Sequence, residues 1–169
     1  MIRPILGGLG GALLVGGCAA AISAAGGGHD YPEARSFAVS QDASADVNAA
    51  LGRAAESGKR VLLVMGANWC HDSRALAGWL ATPRFRSLIE AEYELVFVNI
   101  GMPQSEDGHN LAIATRFGLE DLPGTPNLLV LTAEGQLVNA DTATTWRNTA
   151  SREEDTIFDE LAALAGIKL

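Results

Sequence analysis

Cys70 is the side chain with the most chemistry to offer. It sits in the run Ala67-Asn68-Trp69-Cys70-His71-Asp72-Ser73-Arg74, shortly after the apolar stretch Val61-Leu62-Leu63-Val64-Met65, and a helical pattern starts just beyond it. A cysteine at the amino end of a helix faces free N–H groups and about half a positive charge, which favour thiolate over thiol. The thiolate is the nucleophile of disulfide exchange. His71, when protonated, and Arg74 would strengthen that field, and Asp72 would oppose it. Ser73 follows at a distance that lets its hydroxyl orient or hydrogen-bond the sulfur, or simply fill the first helical turn. Trp69 reads as a cover for the turn. Cys70 and His71 also suit a soft metal such as Cu(I), with His109 as a distant third ligand, but nothing in the sequence brings His109 near. No metal site is therefore assigned.

The second chemical signal is Gly124-Thr125-Pro126, immediately before the apolar run 127–131. Proline cannot donate to a sheet ladder, so it belongs at the start of a strand. A cis peptide is essentially confined to X–Pro bonds. Each of these two signals sits next to an apolar run of strand length. The run 61–65 is continuous and apolar, as in a strand covered on both faces. Residues 93–100 and 127–131 read the same way. Val47, Leu51, Ala54 and Ala55 share one helical face over 43–57, with Asp42 or Ser44 to cap the start and Gly58 to close the end.

The spacing predicts further helices over 71–81, 83–91 and 108–117. Thr82 is placed to cap the second of these and Pro83 to occupy its first position. Ala133-Glu134-Gly135 predicts a three-residue hairpin loop with Gly135 left-handed and a return strand over 136–139. Residues 37–39 predict a short edge strand. The Thr-rich stretch 140–150 reads as a loop that leaves Trp146 as an exposed contact. Ser151-Arg-Glu-Glu154 has the form of a capping box opening a last helix, whose apolar face carries Ile157, Phe158, Leu161 and Leu164 and whose end is Gly166. Trp79, Phe85, Phe97, Phe117 and Phe158 read as core. Strands alternating with helices and ending in a hairpin imply an α/β sandwich: a mixed central sheet with helices on both faces.

Trp69-Cys70-His71-Asp72-Ser73 together with Gly124-Thr125-Pro126 resembles the active-site turn and cis-proline loop of the thioredoxin family. The resemblance covers about residues 37–165 and implies a thioredoxin-like fold. It further implies that Trp69, His71, Thr125 and Pro126 border a substrate groove. The chain departs from the family pattern twice. Ser73 stands where the family has its second, resolving cysteine. Val64 stands where many thioredoxins carry a buried aspartate that serves that second thiol. One thiol can form a mixed disulfide but cannot release it, so release calls for an external thiol such as glutathione. Isomerase-like or deglutathionylating exchange through Cys70 fits one thiol better than net oxidation or reduction. A non-catalytic module binding peptides or proteins in the same groove is the alternative. No cofactor is called for.

Composition narrows the setting. With 12 Lys and Arg against 20 Asp and Glu the chain carries a net charge of −8, which argues against nucleic-acid partners. Two cysteines, Cys18 and Cys70, are too few for a disulfide scaffold or a cysteine-built zinc site. Nearly half the chain, 48%, is hydrophobic, enough for a packed core. Residues 1–17 open with Arg3 and continue apolar and Gly/Ala-rich, the layout of a signal peptide. The run 5–17 is shorter than the roughly 20 residues that span a bilayer. Val15-Gly16-Gly17-Cys18 resembles a bacterial lipobox, which implies acylation of Cys18. Cleavage after Ala25 would instead release a soluble protein. Residues 18–36 read as a flexible tether and 37–169 as the domain. The expectation is an exported, periplasmic protein held to a membrane through lipidated Cys18. Its partners would be cysteine-containing envelope proteins or low-molecular-weight thiols.

Overall fold

The computed structural model describes residues 31–105 and 107–168. The signal segment, Cys18 and tether residues 18–30 lie outside the described residues. The chain order is α1 (Ala43–Ser57), β1 (Arg60–Gly66), α2 (His71–Leu80), α3 (Pro83–Glu92), β2 (Tyr93–Asn99), α4 (Leu111–Arg116), β3 (Asn127–Leu131), a 3-10 helix (Thr145–Ser151) and α5 (Glu154–Ala165).

The apolar run 61–65 becomes the central strand because it alone among the three is flanked on both edges. β2 lies parallel to it, Arg60 opposite Tyr93 and Gly66 opposite Asn99, and β3 lies antiparallel, Val61 opposite Leu131. Alternate side chains then point to opposite faces. Leu62 and Val64 join Leu76, Phe85, Trp146 and Ile157, so α2, α3, the 3-10 helix and α5 cover one face. Val61, Leu63 and Met65 join Val47, Ala54, Val98 and Ile113, so α1 and α4 cover the other. This is the mixed sheet with helices on both faces that the residue pattern predicts. Trp79, Phe85, Phe97 and Phe158 pack in the first cluster and Phe117 against the second.

Local signals hold where they are self-contained. Asp42 accepts from the Ala45 amide at 2.9 Å and caps α1, and Gly58, at φ +74°, ends it. Pro83 opens α3, although the Thr82 hydroxyl donates back to the Trp79 carbonyl rather than capping forward. Gly135 is left-handed at φ +83° as expected.

Five expectations are corrected. Residues 37–39 are not a strand: Phe37 is buried by its ring and held by side-chain amides, its N–H donating to Asn68 and its carbonyl accepting from Asn68 and Asn99. The return strand over 136–139 is reduced to one bridge, Leu131 with Leu137, because the Asn139 amide takes its place. Asn139 Oδ1 accepts from Val130 N–H at 2.8 Å and its Nδ2 donates to the Leu128 carbonyl at 2.9 Å, imitating a strand's backbone. The fourth helix starts at Leu111 rather than 108, since Gly108 pairs with Gly101 and Asn110 is left-handed at φ +58°. Residues 145–151 form the 3-10 helix, and Trp146 is fully buried instead of exposed. The capping box does not form: the Ser151 hydroxyl donates to the Asn148 carbonyl inside the 3-10 helix, and α5 begins after Glu153.

Residues 31–36, assigned above to the tether, lie against α2. Ala34 N–H donates to the Arg74 carbonyl at 3.0 Å, and a Cβ on Gly78 would stand 2.2 Å from the Pro32 carbonyl oxygen.

Tyr93 joins the start of β2 to α5. Its hydroxyl donates to the Leu161 carbonyl at 2.6 Å in a buried setting, and burial raises the phenol's pKa well above its usual value near 10. The neutral phenol is the form the fold accommodates. Its contribution to stability is therefore complete below about pH 10 and is lost as pH rises toward the folded value. Denaturant melts of the wild type should show a loss of stability above about pH 10 that Tyr93→Phe diminishes, with the variant weaker by about 1 kcal/mol at neutral pH.

Candidate active site

β1 ends at Gly66 and α2 starts at His71, leaving four residues to turn the chain. Cys70 N–H donates to the Ala67 carbonyl at 3.2 Å and the Arg74 N–H to the Cys70 carbonyl at 3.1 Å, so Cys70 is the residue that caps α2. Its sulfur does not fold back onto the helix amides. It donates to the Thr125 carbonyl at 3.4 Å, and the Thr125–Pro126 peptide bond is cis. The two motifs, 55 residues apart in the chain, thus meet at one sulfur. Cys70 keeps 7% of its surface open.

The other site residues group around that contact. Trp69 is half exposed and its indole N–H donates to the Gly101 carbonyl at 2.8 Å, which holds the ring over the turn. His71 is largely exposed, with Nε2 3.1 Å from Asp72 Oδ2. Thr125 is buried, and its hydroxyl has no hydrogen-bond partner among the described residues.

Of the two parts open to Ser73, bonding the sulfur or filling the first helical turn, the structure shows the second. Its hydroxyl is fully buried and accepts from the Ala67 amide at 3.4 Å, and among the described residues it makes no hydrogen bond to Cys70. The hydroxyl packs closely against the strand end: a Cβ on Gly66 would lie 2.7 Å from Ser73 Oγ and 2.8 Å from the Phe37 ring. Ser73 ties the end of β1 to α2.

Arg74 has a structural part beside the charge it brings to the turn. Its guanidinium pairs with Glu33 at 3.2 Å and donates Nη1 to the carbonyls of Asn68 and Trp69. The Glu33 hydrogen bond raises its pKa above the ordinary value. Arg74 therefore clamps the two carbonyls that precede the sulfur.

Asp72 has more to do than the sequence shows. Buried in the first turn of α2, its Oδ1 accepts from the Ala150 amide at 2.8 Å while Oδ2 meets His71. It joins the turn to the 3-10 helix. Only a partner 78 residues on reveals this, and no local pattern announces it. His109 packs over Gly101, 2.6 Å from where a Cβ would stand, and no group of three or more potential metal ligands exists among the described residues. No described helix is long and apolar enough to cross a membrane.

Comparison with known proteins agrees with this geometry. A family model described as thioredoxin-like matches residues 42–133, which include Cys70 and the Thr125–Pro126 turn. Among solved structures, a disulphide isomerase from Xylella fastidiosa Temecula1 is similar, with a TM-score of 0.67 and 26% identity over 78% of this chain and 98% of that chain. No match is found among the curated proteins. The fold, the strand-to-helix cysteine and the cis proline beside it place the chain in one group: it belongs to the thioredoxin-like family.

Proposed function

We propose that this chain performs thiol–disulfide exchange with Cys70 as its single nucleophile, in the manner of an isomerase or a deglutathionylating protein. The carrying observation is the Cys70 sulfur set at the start of α2 against the Thr125 carbonyl, with a buried serine at the position where a resolving thiol would stand. The similar structure described as a disulphide isomerase supports the same chemistry. The Cys70 thiolate attacks a partner disulfide, a Cys70–sulfur bond forms, and the other half leaves as a thiolate. An external thiol such as glutathione then attacks the mixed disulfide and restores Cys70. Because Cys70 is nearly covered, a partner must dock between Trp69, His71 and the Thr125–Pro126 turn before its sulfur reaches the site. The test is incubation with a glutathionylated peptide, read by mass. Transfer of the glutathione to Cys70, followed by its release on adding free glutathione, supports the reading, and no transfer sinks it.

The small exposure of Cys70 also favours a second reading, a non-catalytic module that holds an extended peptide in the groove. That module would bind the reduced peptide equally well and form no adduct.

We place the protein in the periplasm, held to a membrane by acylated Cys18, where cysteine-containing envelope proteins and small thiols are its partners. The basic start, apolar run and Val15-Gly16-Gly17-Cys18 support this placement. Cys18→Ala should move the protein from the membrane to the soluble fraction and remove the lipid from its N-terminal peptide. Unchanged fractionation would defeat the anchor.

A further inference from the structure

A cavity of about 560 Å³ opens beside the active turn, walled by His71 and Asp72 on one side and by Arg147, Asn148 and Ser151 on the other. Its volume falls in the range of small-ligand sites. Cys70 does not itself line the cavity, and each wall reaches a chain neighbour of the groups that meet at the sulfur. His71 follows Cys70 in the chain. The Arg147 arm lies over Gly124, its Cδ 2.8 Å from where a Cβ there would stand, and the next residue, Thr125, holds the thiol.

The charges in this cavity are unevenly spent. Asp72 has one oxygen on the Ala150 amide and the other on His71. Arg74 and Arg152, the neighbouring arginines, are paired with Glu33 and Glu160. Arg147 spends only Nε, on the Thr144 carbonyl at 3.0 Å, and its two Nη groups have no protein acceptor among the described residues. A guanidinium with its fork open matches a carboxylate in two parallel hydrogen bonds. The chain as a whole carries −8 and repels anions, so attraction of an anionic partner to this site has to come from such a local charge.

We infer that this cavity is a carboxylate-binding pocket in which Arg147 selects anionic low-molecular-weight thiols and their disulfides as partners of Cys70. The inference rests on the exchange reading above and names its substrate class. In the step, the Cys70 thiolate attacks one sulfur of the anionic disulfide. The Cys70–sulfur bond forms, the partner's S–S bond breaks, and the departing thiolate takes up a proton from water. A second anionic thiol, as its thiolate, then attacks the bound half, forming a new small disulfide and returning Cys70 as thiolate. Electrons balance without any outside oxidant or reductant.

Two measurements test it. The first is binding of S-methylglutathione, which has the carboxylates but no free thiol, followed by titration calorimetry or NMR. The wild type should bind, Arg147→Gln should bind about tenfold more weakly and Arg147→Lys in between. Binding should weaken as ionic strength rises from about 0.05 to about 0.5 M. The second is the rate of adduct formation at Cys70 with glutathione disulfide (anionic), hydroxyethyl disulfide (neutral) and cystamine (cationic). The ratio of the anionic to the neutral rate should fall about tenfold in Arg147→Gln. Absence of S-methylglutathione binding, an unchanged ratio in Arg147→Gln, or preference for cystamine would each overturn the pocket. If S-methylglutathione binds through Arg147 while no disulfide reacts, the pocket stands and the exchange reading falls.

Discussion

Cys70→Ala is expected to eliminate every adduct that disulfides form with the folded domain. Cys70 is the free cysteine of the described residues, and it stands where the strand-to-helix turn and the Thr125 carbonyl converge. The substitution removes a small, nearly buried group and one weak S–H bond, so the fold should lose only about 1 kcal/mol and the thermal midpoint should shift by a few degrees. Activity and stability are thereby separated. Adducts are mapped by peptide mass so that Cys18 is read apart. Ser73→Cys gives the opposite result: the mixed disulfide becomes short-lived and the protein ends with an internal disulfide between Cys70 and the introduced thiol, as a two-thiol relative would. A Cys70→Ala chain that still transfers glutathione within the domain would refute the proposed nucleophile. A Ser73→Cys chain whose mixed disulfide lasts as long as the wild type's would refute the reading of Ser73 as the vacated resolving position.

Trp146→Ala is expected to cost about 3–5 kcal/mol. Trp146 is fully buried in the cluster that includes Leu76, Phe85 and Ile157, and the Arg152 guanidinium sits 4.5 Å from its ring centre. Alanine would leave a large void beneath the 3-10 helix and loosen the wall that carries Arg147. Trp146→Phe should cost far less than its lost volume implies. The indole N–H is buried without a partner among the described residues, so phenylalanine removes an unsatisfied donor worth about 1–3 kcal/mol along with the ring atoms. Urea melts of the three proteins check both. Equal losses for Phe and Ala would show that the indole nitrogen is not the burden described.

What could be read in advance follows from range. The bounds of α1 and β3 are legible because Asp42, Gly58 and an unbroken apolar run act within a few residues. Cys70 and Thr125–Pro126 are each legible from a local signal, a cysteine after a buried strand and a proline before one, and their pairing is legible through the resemblance to the thioredoxin family. Trp146 is not legible: its threonine neighbours make the segment look wet, and its burial depends on α2 and α5 closing over it. The same holds for Asp72 and Arg147, whose roles lie in partners far along the chain. Asn68, Asn99 and Asn139 mislead for a further reason. Their side-chain amides copy a peptide group, so what periodicity reads as extra strand at 37–39 and 136–139 is sheet-like bonding without a strand.

The Asn139 amide has a consequence for how other chains can approach. Along the side of β3 away from β1, Leu128 N–H goes to the Ala143 carbonyl and its carbonyl to Asn139, while Val130 receives Val138 N–H and gives its own to Asn139. That border has no free ladder left to offer. An extended polypeptide cannot dock there by lengthening the sheet, and two copies cannot zip together along it into an aggregate.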